Sequence, residues 1–314
     1  MKQSPSTSMG RFVIGRLRDG AVVLILVVLV IFVLAFVVGN PVEYYAPPDA
    51  TQEDIDRLNR ILGFDRPFHI QFVDYFGGLI QGDFGESLFQ RRPAIKPIME
   101  ALPATILLSL TGIALAGVLG SIGGVLAGVR PGTLFDRVSN FISVALVSVP
   151  NFWLGLVLIV IFAVQLRILP TSGFFDNQGI ILPTLTLGLV HGGRIFLIVR
   201  SVTFEETTKP YVMVAESKGL PFSYVVGRHV LRNAGLTIAT TVGWEYVRMM
   251  GGTAFAIEFV FAWPGVGNLM IDSAHRQDFP VLQAGVILTG VFVVTANIVV
   301  DLGSRVLDRR LQPV

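Results

Sequence analysis

The sequence has no cysteine in 314 residues, which excludes disulfides, thiolate nucleophiles, iron–sulfur ligation and cysteine-containing zinc sites. Charge is also scarce, because Asp, Glu, Lys and Arg make up 15% of the chain against about 25% in soluble domains. The net charge of +2 gives no bias toward nucleic acid. Hydrophobic residues fill the chain instead, at 52% with a mean hydropathy of +0.67. This composition indicates a membrane protein.

Sequence motifs for catalysis are also missing. No GxxxxGK[ST] phosphate loop occurs, and Lys218 lacks the glycine that would precede it in such a loop. HExxH and GxSxG are absent too, and the four histidines are dispersed along the chain. We therefore expect no enzyme activity, no metal and no bound cofactor in this chain. ATP and Mg²⁺, if used, would be bound by a partner.

Apolar runs long enough to span a bilayer core of roughly 30 Å occur six times. Backbone polar groups in lipid must be satisfied within each segment, and the runs lack strand-like alternation, so the prediction is an all-α membrane protein with six transmembrane helices. The first run follows several basic residues and lacks a small-residue cleavage site, so we interpret it as an uncleaved span. The predicted spans are about 20–39, 101–128, 139–164, 181–200, 236–262 and 281–303.

The positions of Lys and Arg predict the orientation. Fourteen Lys and Arg residues lie in the two termini and in the segments that join the second span to the third and the fourth span to the fifth. Eight lie in the remaining segments, on the opposite side, and six of those are in the long 40–100 segment. The positive-inside rule then places both termini and the 201–235 loop in the cytoplasm. The 40–100 segment becomes an extracytoplasmic loop of a single transmembrane domain covering 1–314.

The extracytoplasmic loop carries two helical patterns. TQEDIDRLNRILG has Thr51 as an N-cap, acids in its first turn and Gly63 as a stop. PFHIQFVDYFGGLI has aromatic residues at helical spacing, which suits a helix lying on the bilayer surface or on the transmembrane bundle.

Small residues recur every fourth position in the second predicted span. Their stripe allows close approach of another helix and predicts a packing surface, although a moving interface in a transporter would show the same pattern. The stripe consists of Gly112, Ala116, Gly120, Gly124 and Gly128.

Ionisable residues inside the predicted spans are candidates for function. Glu245 and Arg248 are three residues apart in the fifth span and could pair on one helical face, and Glu258 follows ten residues later. His191 and Arg194 lie in the fourth span. Either these groups line a pathway, or they form structural ion pairs. An ion-coupled secondary transporter using Glu245, Arg248 and Glu258 is therefore one functional hypothesis.

The segment YVMVAESKGL, residues 211–220, interrupts the apolar pattern. Pro210 suits the first turn of a helix, and Gly219 and Pro221 would end it after roughly 13 Å, too short to cross a bilayer. Tyr211, Val214 and Ala215 form a small apolar face on it. The segment is either a connecting surface hairpin or a helix that docks into another protein's groove.

This segment resembles the cytoplasmic loop of the integral-membrane permeases of binding-protein-dependent ABC importers, in their dipeptide, oligopeptide and nickel branch. The motif acid and first alanine of the wider family are replaced here by Met213 and Val214. The branch pattern YVxxAxxKGL is matched by Tyr211, Val212, Ala215, Lys218, Gly219 and Leu220. Three further stretches resemble this family in the same order: LGFDRPFHIQFVDYFGGLIQGDFGESL, VPNFWLGLVLIVIFAVQLRILPTSGF and GGTAFAIEFVFAWPGVGNLM.

The resemblance implies a type I ABC importer permease, multi-pass in a bacterial inner membrane and in contact with lipid. It implies a second related permease, two cytoplasmic ATPase subunits and an extracytoplasmic solute-binding protein as partners, and peptides, glutathione or a nickel chelate as solute. The ATPase-coupling residues implied are Tyr211, Val214, Ala215, Glu216, Lys218, Gly219 and Leu220. The pathway or outer-gate candidates are Glu245, Arg248, Glu258, Trp263, Pro264, Gly265 and Gly267.

Overall fold

The computed structural model describes residues 9–38, 51–62, 65–173 and 178–307. In those ranges every regular element is helical, and one isolated bridge joins Glu86 and Pro93. In chain order the helices are α1 Met9–Val38, α2 Gln52–Leu62, α3 Phe68–Ile80, α4 Ile95–Val129, α5 Leu134–Ser148, α6 Asn151–Leu158, α7 Ile181–Thr207, α8 Pro210–Ser217, α9 Phe222–Val225, α10 Leu231–Arg248, α11 Ala254–Val260, α12 Val266–His275 and α13 Phe279–Leu307.

Four of these helices, α1, α4, α7 and α13, are long and apolar enough to cross a membrane. They coincide with the first, second, fourth and sixth predicted spans, apart from residue 39, which lies outside the described residues. The all-helical membrane class predicted from composition is therefore confirmed.

The third predicted span, 139–164, differs from the expectation of one continuous helix. Helix α5 ends at Ser148, and α6 with the following π-helical turns Ile159–Gln165 leaves it at an angle of 108°. Proline disfavours helical geometry in the residue before it, and Val149 is extended, with φ −90° and ψ 138°, ahead of Pro150. The two pieces form either a broken span or a re-entrant loop.

The fifth predicted span, 236–262, is helical but kinked. Helices α10 and α11 are joined by the π-helical turns Met249–Thr253, inside which Gly252 has φ 150°. Only glycine adopts such a backbone readily. The kink divides this span into two helices.

Helices α4 and α7 pack through the small-residue stripe. A side chain at Gly120 would place its Cβ 2.6 Å from the carbonyl oxygen of Gly192, and one at Gly128 would lie 2.6 Å from that of Arg200. The two backbones are therefore in direct contact, and the stripe is confirmed as a packing surface. Its residues border the main core, in which Leu108, Leu187 and Ile195 are fully buried.

The outer helices rest on the bundle. The ring of Phe32 in α1 contacts Phe68, Phe72 and Tyr75 of α3, with ring centroids 5.0–5.4 Å apart. Contact of α3 with the bundle, one of the two places predicted for it, is therefore observed. Burial raises the pKa of Tyr75.

Helix α2 begins as its sequence predicts. The Asp54 amide donates to the Thr51 hydroxyl (3.3 Å), while the Thr51 amide donates to the Asp54 carboxylate (3.0 Å). The Thr51 hydroxyl also donates to that carboxylate (2.7 Å), and the hydrogen bonds from the Thr51 hydroxyl and amide hold the pKa of Asp54 below its usual value. The predicted stop at Gly63 lies outside the described residues.

Asp278, between α12 and α13, holds the segment that precedes α4. Its buried carboxylate accepts hydrogen bonds from the Ser87 hydroxyl and from the amide of Leu88 (3.2 Å). The guanidinium of Arg276 lies 4.2 Å from the centre of the Phe89 ring. The Asp278 hydrogen bonds join residues about 190 positions apart. They fix the GDFGES stretch, residues 82–87, to the start of α13.

Candidate functional site

Helix α8 has the length and the ends that its sequence predicts. It starts with Pro210 at its first position and finishes at Ser217. Gly219 has φ +79°, and the Leu220 amide donates a hydrogen bond to the Ala215 carbonyl at 3.4 Å, which closes the C-terminal end of the helix. Two residues, Thr208 and Lys209, separate α8 from α7, so the short helix continues directly from a long one.

The predicted apolar face of α8 is only partly exposed. Val212 and Ala215 pack with Val225 and Val230, while Val214 is 53% exposed. Val212 and Ala215 are three residues apart and share a helical face, and α9 with the turns after it covers that face. Of the predicted face of Tyr211, Val214 and Ala215, Val214 alone is therefore exposed, because Ala215 is buried and Tyr211 half-buried in a small core of the same chain.

Glu206, near the end of α7, anchors the start of α8. One of its carboxylate oxygens accepts from the Tyr211 hydroxyl at 2.6 Å, and the other pairs with Lys209. Hydrogen bonds to charged groups are worth about 1.5–3 kcal/mol, so this contact orients α8 relative to α7. Sequence reasoning overlooked Glu206, although its position three residues before Lys209 was a usable signal.

Apolar side chains remain exposed on the outer side of this segment. Met213 is 60% exposed, and Val214, Phe222 and Tyr224 are also exposed; we call these four residues the exposed apolar patch. The other predicted coupling residues Glu216 and Lys218 are exposed, whereas Tyr211 and Leu220 are half-buried against the small core beneath α8.

A cleft of about 580 Å³ opens beside the patch. Phe222 and Val226 form one of its walls, and Val129 and Phe135, from the end of α4 and the start of α5, form the other. The patch and the cleft together make an apolar surface at this end of the bundle.

At the opposite end, Glu258 organises the turn between α11 and α12. Its fully buried carboxylate accepts from the amides of Gly267 (2.7 Å) and Asn268 (3.4 Å). A side chain at Gly265 would place its Cβ 2.2 Å from Glu258 Cδ, and one at Gly267 would lie 2.3 Å from Phe255 Cβ. Gly265 is therefore required for the close approach of this carboxylate, and Gly267 for the close approach of Phe255.

Trp263 and Pro264 complete the same turn. The indole of Trp263 is buried and donates to the Ala104 carbonyl at 2.9 Å, which fixes the turn to α4. Pro264 lines an outer cleft of about 520 Å³, together with Glu100, Asp272 and His275. Four of the predicted outer residues thus meet in one turn, where Glu258 has a structural contact, and a role for them in a pathway stays a prediction.

Glu258→Gln is expected to lower both stability and any uptake activity, because its NH2 group would take the place of the buried carboxylate oxygen Oε1, which has no hydrogen-bond partner among the described residues. We expect a loss of about 1–3 kcal/mol, visible as a lower unfolding temperature of the purified protein in lipid. Glu205→Gln, at an exposed glutamate of α7, is the matched control. Equal unfolding temperatures for the two variants would contradict the structural role of Glu258.

The remaining predicted charges meet inside the bundle. Glu245 of α10 is buried and lies 2.8 Å from His191 Nδ1 and 3.5 Å from Arg248 Nε. Arg194 reaches the same carboxylate at 3.9 Å. The sequence predicted the Glu245–Arg248 pair and also selected His191 and Arg194, but it did not predict that the four form one cluster.

Two family profiles cover most of the chain. The family described as binding-protein-dependent transport system inner membrane component matches residues 120–313, and the one described as the N-terminal part of such membrane components matches residues 9–111. The chain belongs to this permease family.

Characterised relatives align with the permease over nearly its whole length. It is 35% identical over 291 residues to the glutathione transport system permease protein GsiC of Escherichia coli (strain K12), covering 92% of this chain and 95% of that protein. The GsiC protein of Salmonella typhi is 36% identical over 278 residues, covering 88% and 90% of the two chains.

A solved structure shares the fold of the permease. A chain of the MetNI methionine ABC transporter, in an inward-facing conformation, superposes with a TM-score of 0.57 at 19% identity, covering 68% of this chain and 96% of that chain. At this identity the likeness concerns the fold alone.

Family membership decides between the two functional hypotheses. The chain is a multi-pass inner-membrane permease subunit of a binding-protein-dependent ABC importer, and not a secondary transporter that acts alone. A transport permease of this kind works with an ATPase and a substrate-binding protein.

Proposed function

We propose that this permease carries peptides or glutathione across the membrane through a six-span domain, residues 1–314, with both termini in the cytoplasm. Its partners would be a second related permease, two cytoplasmic ATPases and an extracytoplasmic solute-binding protein. The bent α5–α6 pair and the kinked α10–α11 pair would each count as one span beside α1, α4, α7 and α13. The excess of Lys and Arg on the side of the termini supports this orientation.

The observation that carries the proposal is the exposed apolar patch on a firmly held α8. Burial of apolar side chains such as Met213 and Val214 in a partner's groove is energetically favourable. The contacts of Glu206 with Lys209 and Tyr211 fix α8, which carries these side chains, relative to α7. In this proposal the 201–235 loop is the coupling loop, with Tyr211, Val214, Ala215, Glu216, Lys218, Gly219 and Leu220 forming or supporting the ATPase contact. A displacement of α8 would reach α4 through the α4–α7 stripe.

The solute class is supported by the relatives. The GsiC proteins of Escherichia coli and Salmonella typhi are described as glutathione transport permeases, and glutathione is itself a tripeptide. The 40–100 loop would face the binding protein on the outer side. The turn at 263–267 would border the outer end of the pathway, with Glu258 as its support.

Uptake by the complete assembly tests this function. Proteoliposomes holding the permease and its partners should take up labelled glutathione or tri-alanine only with ATP inside and the solute-binding protein outside. A non-hydrolysable ATP analogue serves as the control. Uptake driven by an ion gradient without ATP, or an assembly that moves neither solute, would contradict the proposal.

A further inference from the structure

Two arginines share one buried carboxylate within the predicted spans of the permease. Of its 24 Lys and Arg residues, Arg194 and Arg248 are the two that lie inside a predicted span and away from its ends. Within the part of the chain that the structure describes, Glu245 is the acid that pairs with either arginine, at 3.9 and 3.5 Å. Arg194, Arg248 and Glu245 together therefore carry one uncompensated positive charge.

An uncompensated charge in a membrane is costly, so such residues face a bundle interior or a water-filled cavity and mark solute paths. Glu245, to which the other members of the cluster bind, is buried at 3% exposure, whereas the Arg248 side chain is 59% exposed. Trp244, one turn earlier on the same face of α10, is 46% exposed. The guanidinium of Arg248 therefore lies on the surface of this single chain, and its two NH2 groups remain available as hydrogen-bond donors.

The excess charge has a chemical complement in the solute. A guanidinium offers a planar fork of N–H donors that binds a carboxylate through two parallel hydrogen bonds. At most one of these donors is directed at Glu245, since the Nε contact is already 3.5 Å long. An incoming carboxylate would supply the missing negative charge without displacing Glu245 from His191.

We propose that Arg248, backed by Arg194 and oriented by Glu245, binds a carboxylate of the transported solute midway through the permease. The inference rests on the proposed function, since peptides and glutathione both carry free carboxylates. Arg248 is thus a specificity residue that distinguishes acids from amides and esters. Glu245 and His191 are positioning residues, since their contacts hold the arginine and leave the solute site to it.

The absence of native cysteine permits a direct test. Trp244→Cys introduces the one thiol of the chain beside Arg248, and its rates of reaction with anionic and cationic methanethiosulfonate reagents report the local charge in the assembled importer. We expect the anionic-to-cationic rate ratio to fall about fivefold to tenfold when Arg248→Gln is added, as for a unit charge roughly 6 Å away in water. Arg248→Lys should preserve the ratio, and Arg228→Gln, at an exposed arginine of the 201–235 loop, should not change it.

Solute protection completes the experiment. S-methylglutathione, which lacks a free thiol, should slow the modification of Trp244→Cys, and its dimethyl ester should not. Arg248→Gln should abolish the protection. A thiol that reacts with neither reagent, as when a second permease or lipid covers the cluster, would overturn the inference. An unchanged rate ratio, or equal protection by acid and ester, would overturn it as well.

The same proteoliposomes separate this inference from the proposed function. Protection without ATP-driven uptake would contradict the function and leave the carboxylate site standing. Normal uptake of glutathione without protection would contradict the site alone.

Discussion

A permease carrying Gly219→Arg is expected to insert normally and to lose ATP-driven uptake by at least about tenfold, while its ATPase partners still hydrolyse ATP. Gly219 ends α8 with φ +79°, and a side chain built there would meet nothing within 4 Å. The arginine would therefore fit the isolated chain and extend from the end of α8 beside the exposed apolar patch. A long charged side chain at that point would obstruct a groove that receives Met213 and Val214.

Backbone strain is a second consequence of Gly219→Arg, and a control separates the two effects. Left-handed backbone costs an ordinary L-residue about 1–2 kcal/mol, whereas asparagine tolerates it better. Gly219→Asn preserves the left-handed backbone that ends α8 and adds no charge. A permease with this substitution should therefore transport at nearly the normal rate. Retention of the ATPase in a pull-down together with normal uptake by Gly219→Arg would show that α8 is not the docking helix.

Gly120→Ala is expected to destabilise the permease by about 1–3 kcal/mol or more, although it adds a single methyl group. The new Cβ would lie 2.6 Å from the Gly192 carbonyl oxygen and 2.7 Å from Ile195 Cβ, so α4 and α7 would have to separate. Overpacking of a closely packed core has a cost of this size. The measurement is the unfolding temperature in lipid, together with the fraction of monodisperse protein.

Gly117→Ala is the matched control on the same helix. Its Cβ would meet Val242 Cγ1 at 3.5 Å, an ordinary contact, and alanine is favoured over glycine inside a helix by about 0.5–1 kcal/mol. This variant should be as stable as the parent or slightly more so. Equal destabilisation by both substitutions would mean that the spacing of α4 and α7 is not set by the stripe.

Much of the fold follows from local patterns in the sequence. Four apolar runs, the Thr51 cap, the α8 start at Pro210 and the stripe on α4 each depend on residues close together in the chain, where composition and period are informative. The bend at Val149 has a local cause in Pro150 as well, although the continuous apolar run concealed it.

Long-range contacts were harder to predict. Asp278 and Ser87 are 191 residues apart, and nothing near either residue indicates the other. Glu245 and His191 were each selected as costly charges, yet their 54-residue separation left the pairing open. The sequence did not show that Ala215 would be buried within the chain, because its burial depends on the hairpin that covers Val212 and Ala215, and the pattern of a single helix does not show what lies against it.

The glycine contact between α4 and α7 also determines how this permease can deform. The backbones of α4 and α7 are in contact from Ala116 to Gly128, about three helical turns, so we expect the two helices to move together as one body. Any change of shape must then fall on softer joints. A Cβ built on Gly252, at the kink between α10 and α11, would have no neighbour within 4 Å among the described residues. Gly252 lies four residues from Arg248. A hinge there would turn the face of α10 that bears the arginine while the paired helices stayed rigid.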